Sequence, residues 1–183
     1  MEPIPEQLFT PHLILRKPAV EDGREIHASY GSDPEVARYV LFRPDQTVED
    51  VEEFLRSTLE AWEKSERGAW AITLPHGGEV SGMIDLRLEG EANLGYVLAR
   101  REWGKGYATE AVRAVVEWAF GIQEIHRIWA AVEVNNAPSI RVLEKSGFTR
   151  DSLMKSWLVF PNLGDAPRDC YKYIIERPDR KRQ

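Results

Sequence analysis

Between Tyr96 and Ala111 the chain reads Tyr-Val-Leu-Ala-Arg-Arg-Glu-Trp-Gly-Lys-Gly-Tyr-Ala-Thr-Glu-Ala. No other stretch limits the accessible folds as strongly. An apolar run ends, two glycines one residue apart follow, and a helical pattern starts at once. Glycine lets the chain take positive φ and lets a ligand approach bare backbone. The amides of a first helical turn lack internal partners, and the helix dipole adds partial positive charge. Arg101 and Lys105 add full charges beside them. A strand that feeds such a loop and helix is a receptor for phosphate or pyrophosphate. A phosphate loop of the P-loop type needs Ser or Thr after its lysine, and Lys105 is followed by Gly106. A dinucleotide loop needs a third glycine where Thr109 stands, and glycines at the strand end itself.

The remaining pattern surrounds that segment with one sheet. Leu13 to Arg16 reads as an opening strand stopped by Pro18. Val20 to Tyr30 and Asp33 to Val40 read as short helices, the second with Asp33 as N-cap and Pro34 at its first position. From Thr47 a longer helix carries Val48, Val51, Leu55, Leu59 and Trp62 on one stripe, and Thr47 with Asp50 forms a variant capping box. Ala69 to Leu74 and Val80 to Leu88 are strands about the turn Pro75-His76-Gly77-Gly78. Leu94 to Ala99 follows the Glu89-Gly90-Glu91 turn. Next come a helix over Ala108 to Phe120, a strand over Ile128 to Val134, and a helix over Pro138 to Lys145 that Gly147 stops. Leu153 to Phe160 and Tyr171 to Ile175 close the order as strands. Strands grouped and then alternating with helices describe one mixed α/β (α+β) domain over residues 1–183, with 177–183 as a basic tail.

Composition excludes several functions. With 183 residues and a net charge of -6, the chain has room for one sizeable core and no field that attracts nucleic acid. Cys170 is the only cysteine, so no internal disulfide forms, and His12, His27, His76 and His126 are scattered, so no metal site is expected. Residues 1–7 do not resemble a signal peptide and no apolar run is long enough to span a membrane; a cytoplasmic protein is expected. Of the six tryptophans, Trp62, Trp70, Trp118 and Trp129 read as packing. Trp103, in the loop, and Trp157 are the two placed to meet a ligand.

Arg101-x-x-Gly104-x-Gly106, continued by Tyr107-Ala108-Thr109-Glu110-Ala111, resembles the acetyl-CoA pyrophosphate loop of the GNAT superfamily. Asn136-Ala137-Pro138-Ser139-Ile140-Arg141-Val142-Leu143-Glu144-Lys145-Ser146-Gly147-Phe148 is similar to the second block of that family, and Leu13 to Arg16 to the opening strand of its RimJ/RimL-like branch. The resemblance implies a mixed, mostly antiparallel central sheet, splayed in the middle and flanked by helices, with acetyl-CoA as cosubstrate in the gap. It implies that Val97, Leu98 and Ala99 offer backbone groups to the pantetheine arm. By the same likeness Arg101, Gly104, Lys105, Gly106, Tyr107 and Ala108 hold the pyrophosphate, Asn136 and Ser139 lie beside the thioester, and Arg141 and Lys145 reach the nucleotide end. The partners so implied are acetyl-CoA and a primary amine, on a protein N-terminus or a small molecule. A homodimer is left open.

Transfer to an amine needs a group to take its proton, a donor for the oxyanion and a proton for the departing thiolate. The Leu98 amide suits the second task and the Ser139 hydroxyl the third, although Ser near a helix start also caps backbone amides. The branch's usual glutamate on the strand after Phe148 is missing: Ser156-Trp157-Leu158 holds no carboxylate, and Asn93-Leu94 stand where relatives carry an acid. Asp85 and Glu133 remain as proton acceptors, whereas Glu110 reads as a structural acid in a first helical turn. Two other functions stay open: a non-catalytic acyl-CoA sensor, which lacks the base, and a nucleotide- or dinucleotide-binding module. The acceptor pocket is expected between residues 20–42 and 157–169.

Overall fold

The computed structural model describes residues 3–75, 77–88 and 90–178. Residues 1–2, His76, Glu89 and the 179–183 part of the basic tail lie outside the described residues. Eight strands make one sheet in the order β1-β2-β3-β4-β5-β6-β8-β7. They are β1 (Gln7–Phe9), β2 (Ile14–Arg16), β3 (Arg67–Leu74), β4 (Gly77–Arg87), β5 (Ala92–Leu98), β6 (Arg127–Glu133), β7 (Thr149–Leu158) and β8 (Arg168–Glu176). Every neighbouring pair is antiparallel except β5 with β6, which is parallel. The helices are α1 (Gly23–Ile26), α2 (Pro34–Ala37), α3 (Val48–Glu63), α4 (Tyr107–Ala119) and α5 (Ala137–Lys145). No described helix is long and apolar enough to cross a membrane.

Most elements follow from local chemistry. Asp33 caps α2 by accepting from the Glu35 amide, and Thr47 with Asp50 closes both arms of the capping box on α3. Gly147, at φ 94°, ends the turn after α5, a conformation side chains resist. Most boundaries shift by one to three residues from the sequence reading, and β4 starts at Gly77, so that Gly77 and Gly78 of the expected turn belong to the strand. The first helical stretch is compound, a 3-10 turn over Val20–Asp22, α1, and a π turn over His27–Gly31. α2 ends at Ala37 instead of Val40. β7 begins at Thr149, four residues early, because Thr149 and Arg150 pair with Ile174 and Tyr173. β1 was not foreseen: three residues are too few to show alternation, and pairing with β2 defines them.

Side-chain alternation divides the core between the two faces of the sheet. Ile84, Leu86, Leu94 and Leu98 join Ala111, Val112, Val115 and Leu143 under α4 and α5. Ala69, Ala71, Val80, Met83 and Ala99 join Ile26, Tyr30, Val51 and Leu55 under α1 and α3. Trp70 is fully buried, meets Trp62 and Trp118 edge-on at 5.4 and 5.2 Å, and donates its indole N–H to the Pro5 carbonyl at 2.9 Å. Tryptophan tolerates burial when its N–H is satisfied in this way.

Candidate active site

β5 and β6 pair only at Ala92–Ile128 and Asn93–Trp129. Beyond those two rungs β5 runs on to Leu98 and β6 to Glu133 without a ladder, so the sheet opens between them. Strand geometry decides what faces the opening. The Ala99 amide donates to Ser81 on the β4 side at 2.7 Å, and on β5 successive residues turn their backbone groups to opposite edges. Val97 and Gly95 therefore bond toward β4, while Leu98 and Tyr96 present N–H and C=O to the gap. Of the three residues expected to offer backbone groups, Leu98 is the one whose groups point there. Its carbonyl accepts the Trp103 indole N–H at 2.8 Å.

At the end of β5 a 3-10 turn over Arg100–Glu102 leads into the glycine loop. Gly104 and Gly106 sit at φ 77° and 86°, Gly106 serves as N-cap of α4, and a Cβ on either would meet no protein atom within 4 Å. The loop thus presents bare, exposed backbone with open space in front of both glycines. Among the described residues, the amides of Gly104, Lys105, Gly106, Tyr107, Ala108 and Thr109 find no backbone acceptor. They lie at and just before the N-terminal turn of α4, whose dipole adds partial positive charge there, and anions bind at such helix starts. Glu102, a residue the sequence did not single out, is buried beneath the loop and holds both its cations, Lys105 at 3.0 Å and Arg101 at 3.4 Å. Arg101 also reaches Glu79 at 3.1 Å. Glu110 binds the amide of His12 at 2.8 Å and its ring at 3.0 Å, tying α4 to the β1–β2 turn. Burial works to raise the Glu110 carboxyl, but hydrogen bonds from Thr10 and His12 outweigh it and hold the group below the ordinary range.

Across the gap, Asn136 caps α5 by accepting the Ser139 amide at 3.2 Å. That places the Ser139 hydroxyl 2.7 Å from the Tyr96 hydroxyl of β5, so one hydrogen-bonded pair joins the two sides of the split. Burial pushes the Tyr96 phenol up to about 12, with the Ser139 bond pulling the other way. It therefore stays protonated at neutral pH. Tyr96 was within the quoted stretch, but only the pairing of strand and helix reveals it as a partner of Ser139. Arg141 and Lys145 lie exposed on α5.

The two candidate acids differ. Glu133 is fully buried at the end of β6, and both its oxygens are taken, by the Asn135 amide (2.6 Å), the Asn135 side chain (3.1 Å) and Arg168 (2.9 Å). Asp85 sits mid-β4 on the α1–α3 face. Its Oδ2 accepts from Arg67 at 2.9 Å, with Arg87 at 3.9 Å. Its Oδ1 lies over Gly95, where a Cβ would come within 3.0 Å. Burial pushes the Asp85 carboxyl above the usual range, against the pull of Arg67 and Arg87.

β7 supplies no acid at Ser156–Leu158. Ser156 instead arches at φ 47° and donates its amide to Asp169 of β8 at 2.8 Å, leaving Trp157 half exposed. Burial, then Glu133 and Asp169, pushes the Cys170 thiol up to about 11, which keeps it a thiol. The described residues hold no group of three or more side chains suited to a metal. A cavity of about 870 Å³ lies at the other end of the strands, among Glu91, His126, Arg127 and Glu176, away from the split.

Comparison with known proteins agrees with this geometry. Residues 12–149 match the acetyltransferase (GNAT) domain family. An uncharacterized N-acetyltransferase, p20 of Bacillus licheniformis, is 33% identical over 157 residues, covering 83% of this chain and 87% of its own. A GNAT-family acetyltransferase structure from Bacillus anthracis superposes with a TM-score of 0.78 at 28% identity, over 93% of this chain and 98% of that one. RimJ of Mycobacterium smegmatis, solved with CoA-disulfide, shares the fold at a TM-score of 0.81 and 22% identity, over 93% and 85%. With the split sheet, the glycine loop and a family match over most of its length, the chain belongs to the GNAT acetyltransferase family.

Proposed function

We propose that this acetyltransferase carries the acetyl group of acetyl-CoA directly to a primary amine, with both substrates bound at once. The observation that carries the reading is the split between β5 and β6, beside whose end the Gly104 and Gly106 backbone stands open, with no protein atom within 4 Å of either Cβ position. In that arrangement the Gly104–Ala108 backbone, Arg101 and Lys105 hold the pyrophosphate, and the pantetheine arm lies along the Leu98 edge. Arg141 and Lys145, exposed on α5, are the cations assigned to the nucleotide end.

The chemistry needs three proton or charge transfers. The neutral amine attacks the thioester carbon, and the carbonyl oxygen becomes an oxyanion facing the Leu98 and Tyr96 amides. As the C–N bond forms the nitrogen gains charge, and a carboxylate takes its proton, directly or through water. The oxyanion then collapses, the C–S bond breaks, and the thiolate takes a proton relayed from solvent through the Tyr96–Ser139 hydroxyl pair (2.7 Å), so that both hydroxyls end protonated. Of the two acids, Asp85 has the oxygen free for this task. Positioning two bound reactants supplies much of the acceleration.

Incubation with acetyl-CoA and a panel comprising a polyamine, an amino sugar, an amino acid and a short peptide with a free N-terminus tests the reading, with thiol release and acetylated product both measured. Product from at least one amine is expected. Tight CoA binding with no turnover on any of them would instead favour an acyl-CoA sensor. Stabilisation by NAD or ATP and not by CoA would point to a nucleotide-binding module. Ser139→Ala and Tyr96→Phe are each expected to slow transfer while leaving CoA affinity within about twofold, since neither touches the diphosphate.

A further inference from the structure

We infer that Arg67 is a positioning residue for Asp85, and that the missing side chain of Gly95 is the window through which Asp85 reaches the acceptor amine. The inference rests on the acetyl-transfer reading above and specifies how its proton is taken.

Asp85 and Gly95 are direct partners across β4 and β5, so their side-chain positions fall on the same face, the one covered by α1 and α3. Gly95 stands two residues past the last β5–β6 rung, at the mouth of the split. Any side chain there would stand between the carboxylate and the split, and even a methyl group would press on Oδ1 at 3.0 Å. With glycine in place, Oδ1 looks past β5 toward the place where an amine meets the thioester. Gly95 is at neither a turn nor a positive φ among the described residues, so backbone conformation does not account for it.

Arg67 accounts for the other oxygen. Its guanidinium is held at three points: Nε on Asp85 Oδ2 at 2.9 Å, Nη1 on the Thr58 hydroxyl of α3 at 3.3 Å, and the Phe54 ring 5.3 Å from its centre. A clamp of this kind fixes the carboxylate plane, so Oδ2 is occupied and Oδ1 is left free. It also sets the charge state. Burial favours the neutral acid, which cannot accept a proton; Arg67, with Arg87 as the weaker second cation, favours the carboxylate. The charged groups facing Asp85 are thus Arg67 from β3 and Arg87 from β4, while α3 contributes Thr58 and β5 contributes Gly95, both neutral. Burial thus keeps the Asp85 carboxylate basic, while Arg67 and Arg87 favour its charged form.

The test uses the full chain with aspartate labelled at its carboxyl carbon, followed by NMR. Asp85→Asn identifies the Asp85 signal by its loss. Acetyl-CoA is expected to move that signal. Arg67→Met is expected to carry its titration to higher pH, and to shift the acid limb of acetyl transfer, measured with the panel's fastest amine, in the same direction. Thr58→Val, which frees the guanidinium without removing it, gives a smaller shift of the same sign and serves if Arg67→Met does not fold. Asp85→Asn lowers kcat by about 10²- to 10⁴-fold, the usual contribution of a base. Gly95→Ala lowers kcat with CoA affinity unchanged. An Asp85 titration and acid limb that stay put in both Arg67→Met and Thr58→Val, or full kcat in Asp85→Asn, would overturn the inference. A spectrum indifferent to acetyl-CoA throughout would instead overturn the acetyl-transfer reading beneath it.

Discussion

Gly104→Ala separates ligand contact from backbone strain. In the free protein a methyl at Gly104 meets no atom within 4 Å, so no steric clash opposes it. What remains is conformational: at φ 77° a side-chain residue costs about 1–2 kcal/mol. For a chain of this size each kcal/mol moves Tm by about 2–4 °C, so the free variant should melt about 2–8 °C lower. CoA at a hundred times its Kd stabilises the wild type by about 2.7 kcal/mol, or about 5–11 °C on the same scale. The methyl fills the open space assigned to the diphosphate, so most of that ligand-dependent gain should vanish. Gly164, between β7 and β8, supplies the control, because it also has a positive φ (113°) and open space around its Cβ position. Gly164→Ala should lower Tm similarly yet keep the full response to CoA. Thermal melts with and without CoA, supported by calorimetric titration, decide the matter. A Gly104→Ala protein that binds CoA as tightly as Gly164→Ala would refute the placement of the diphosphate.

Three further outcomes follow from contacts described above. Glu133→Gln leaves Arg168 and the Asn135 amide poorly matched in a buried site and should cost about 1–3 kcal/mol in urea unfolding, without moving the pH profile of transfer. Thr47→Ala removes one arm of the α3 capping box and should cost about 1 kcal/mol by the same measurement. Glu110 is held below its ordinary value of 4.5, so its contribution is present above that pH and is lost as the pH falls through its folded value. Glu110→Gln should therefore reduce stability at neutral pH and flatten the acid side of the stability curve.

The sequence revealed what depends on local pattern. The glycine loop, the capped helices and the order of strands could be read because φ preference, capping and periodicity are properties of neighbours in the chain. Ser139 and Asn136 were legible as a pair at the start of α5 for the same reason. The site's other half depends on residues far apart in sequence. Tyr96 meets Ser139 only because β5 and α5 flank one gap, 43 residues apart in the chain. Asp85 could be named as an acid within a strand, but its clamp by Arg67 and its view past Gly95 require the β3–β4–β5 register. Glu133 looked equally plausible until Arg168, brought across by β8, claimed its oxygen. Glu102 carried no signal of its own, since a buried acid and a surface acid are the same letter. β7 holds no acid at Ser156–Leu158, since its Asp151 lies exposed at the other end of the strand, and Asp169 beside it accepts the Ser156 amide of the arch.

Two rungs between β5 and β6 also have a mechanical meaning. The five strands on one side and the three on the other are joined by only two ladder rungs, by the Tyr96–Ser139 pair and by the core under α4 and α5, so few backbone bonds hold the walls of the split together. On the proposed reading, a pantetheine chain between them would supply the rungs that the protein omits and stiffen those walls. An amine arriving afterwards meets walls that are already set and loses less entropy in ordering them. Steady-state kinetics should accordingly show compulsory order, with the thioester entering first, and a dead-end analogue of the amine should bind weakly until CoA is present.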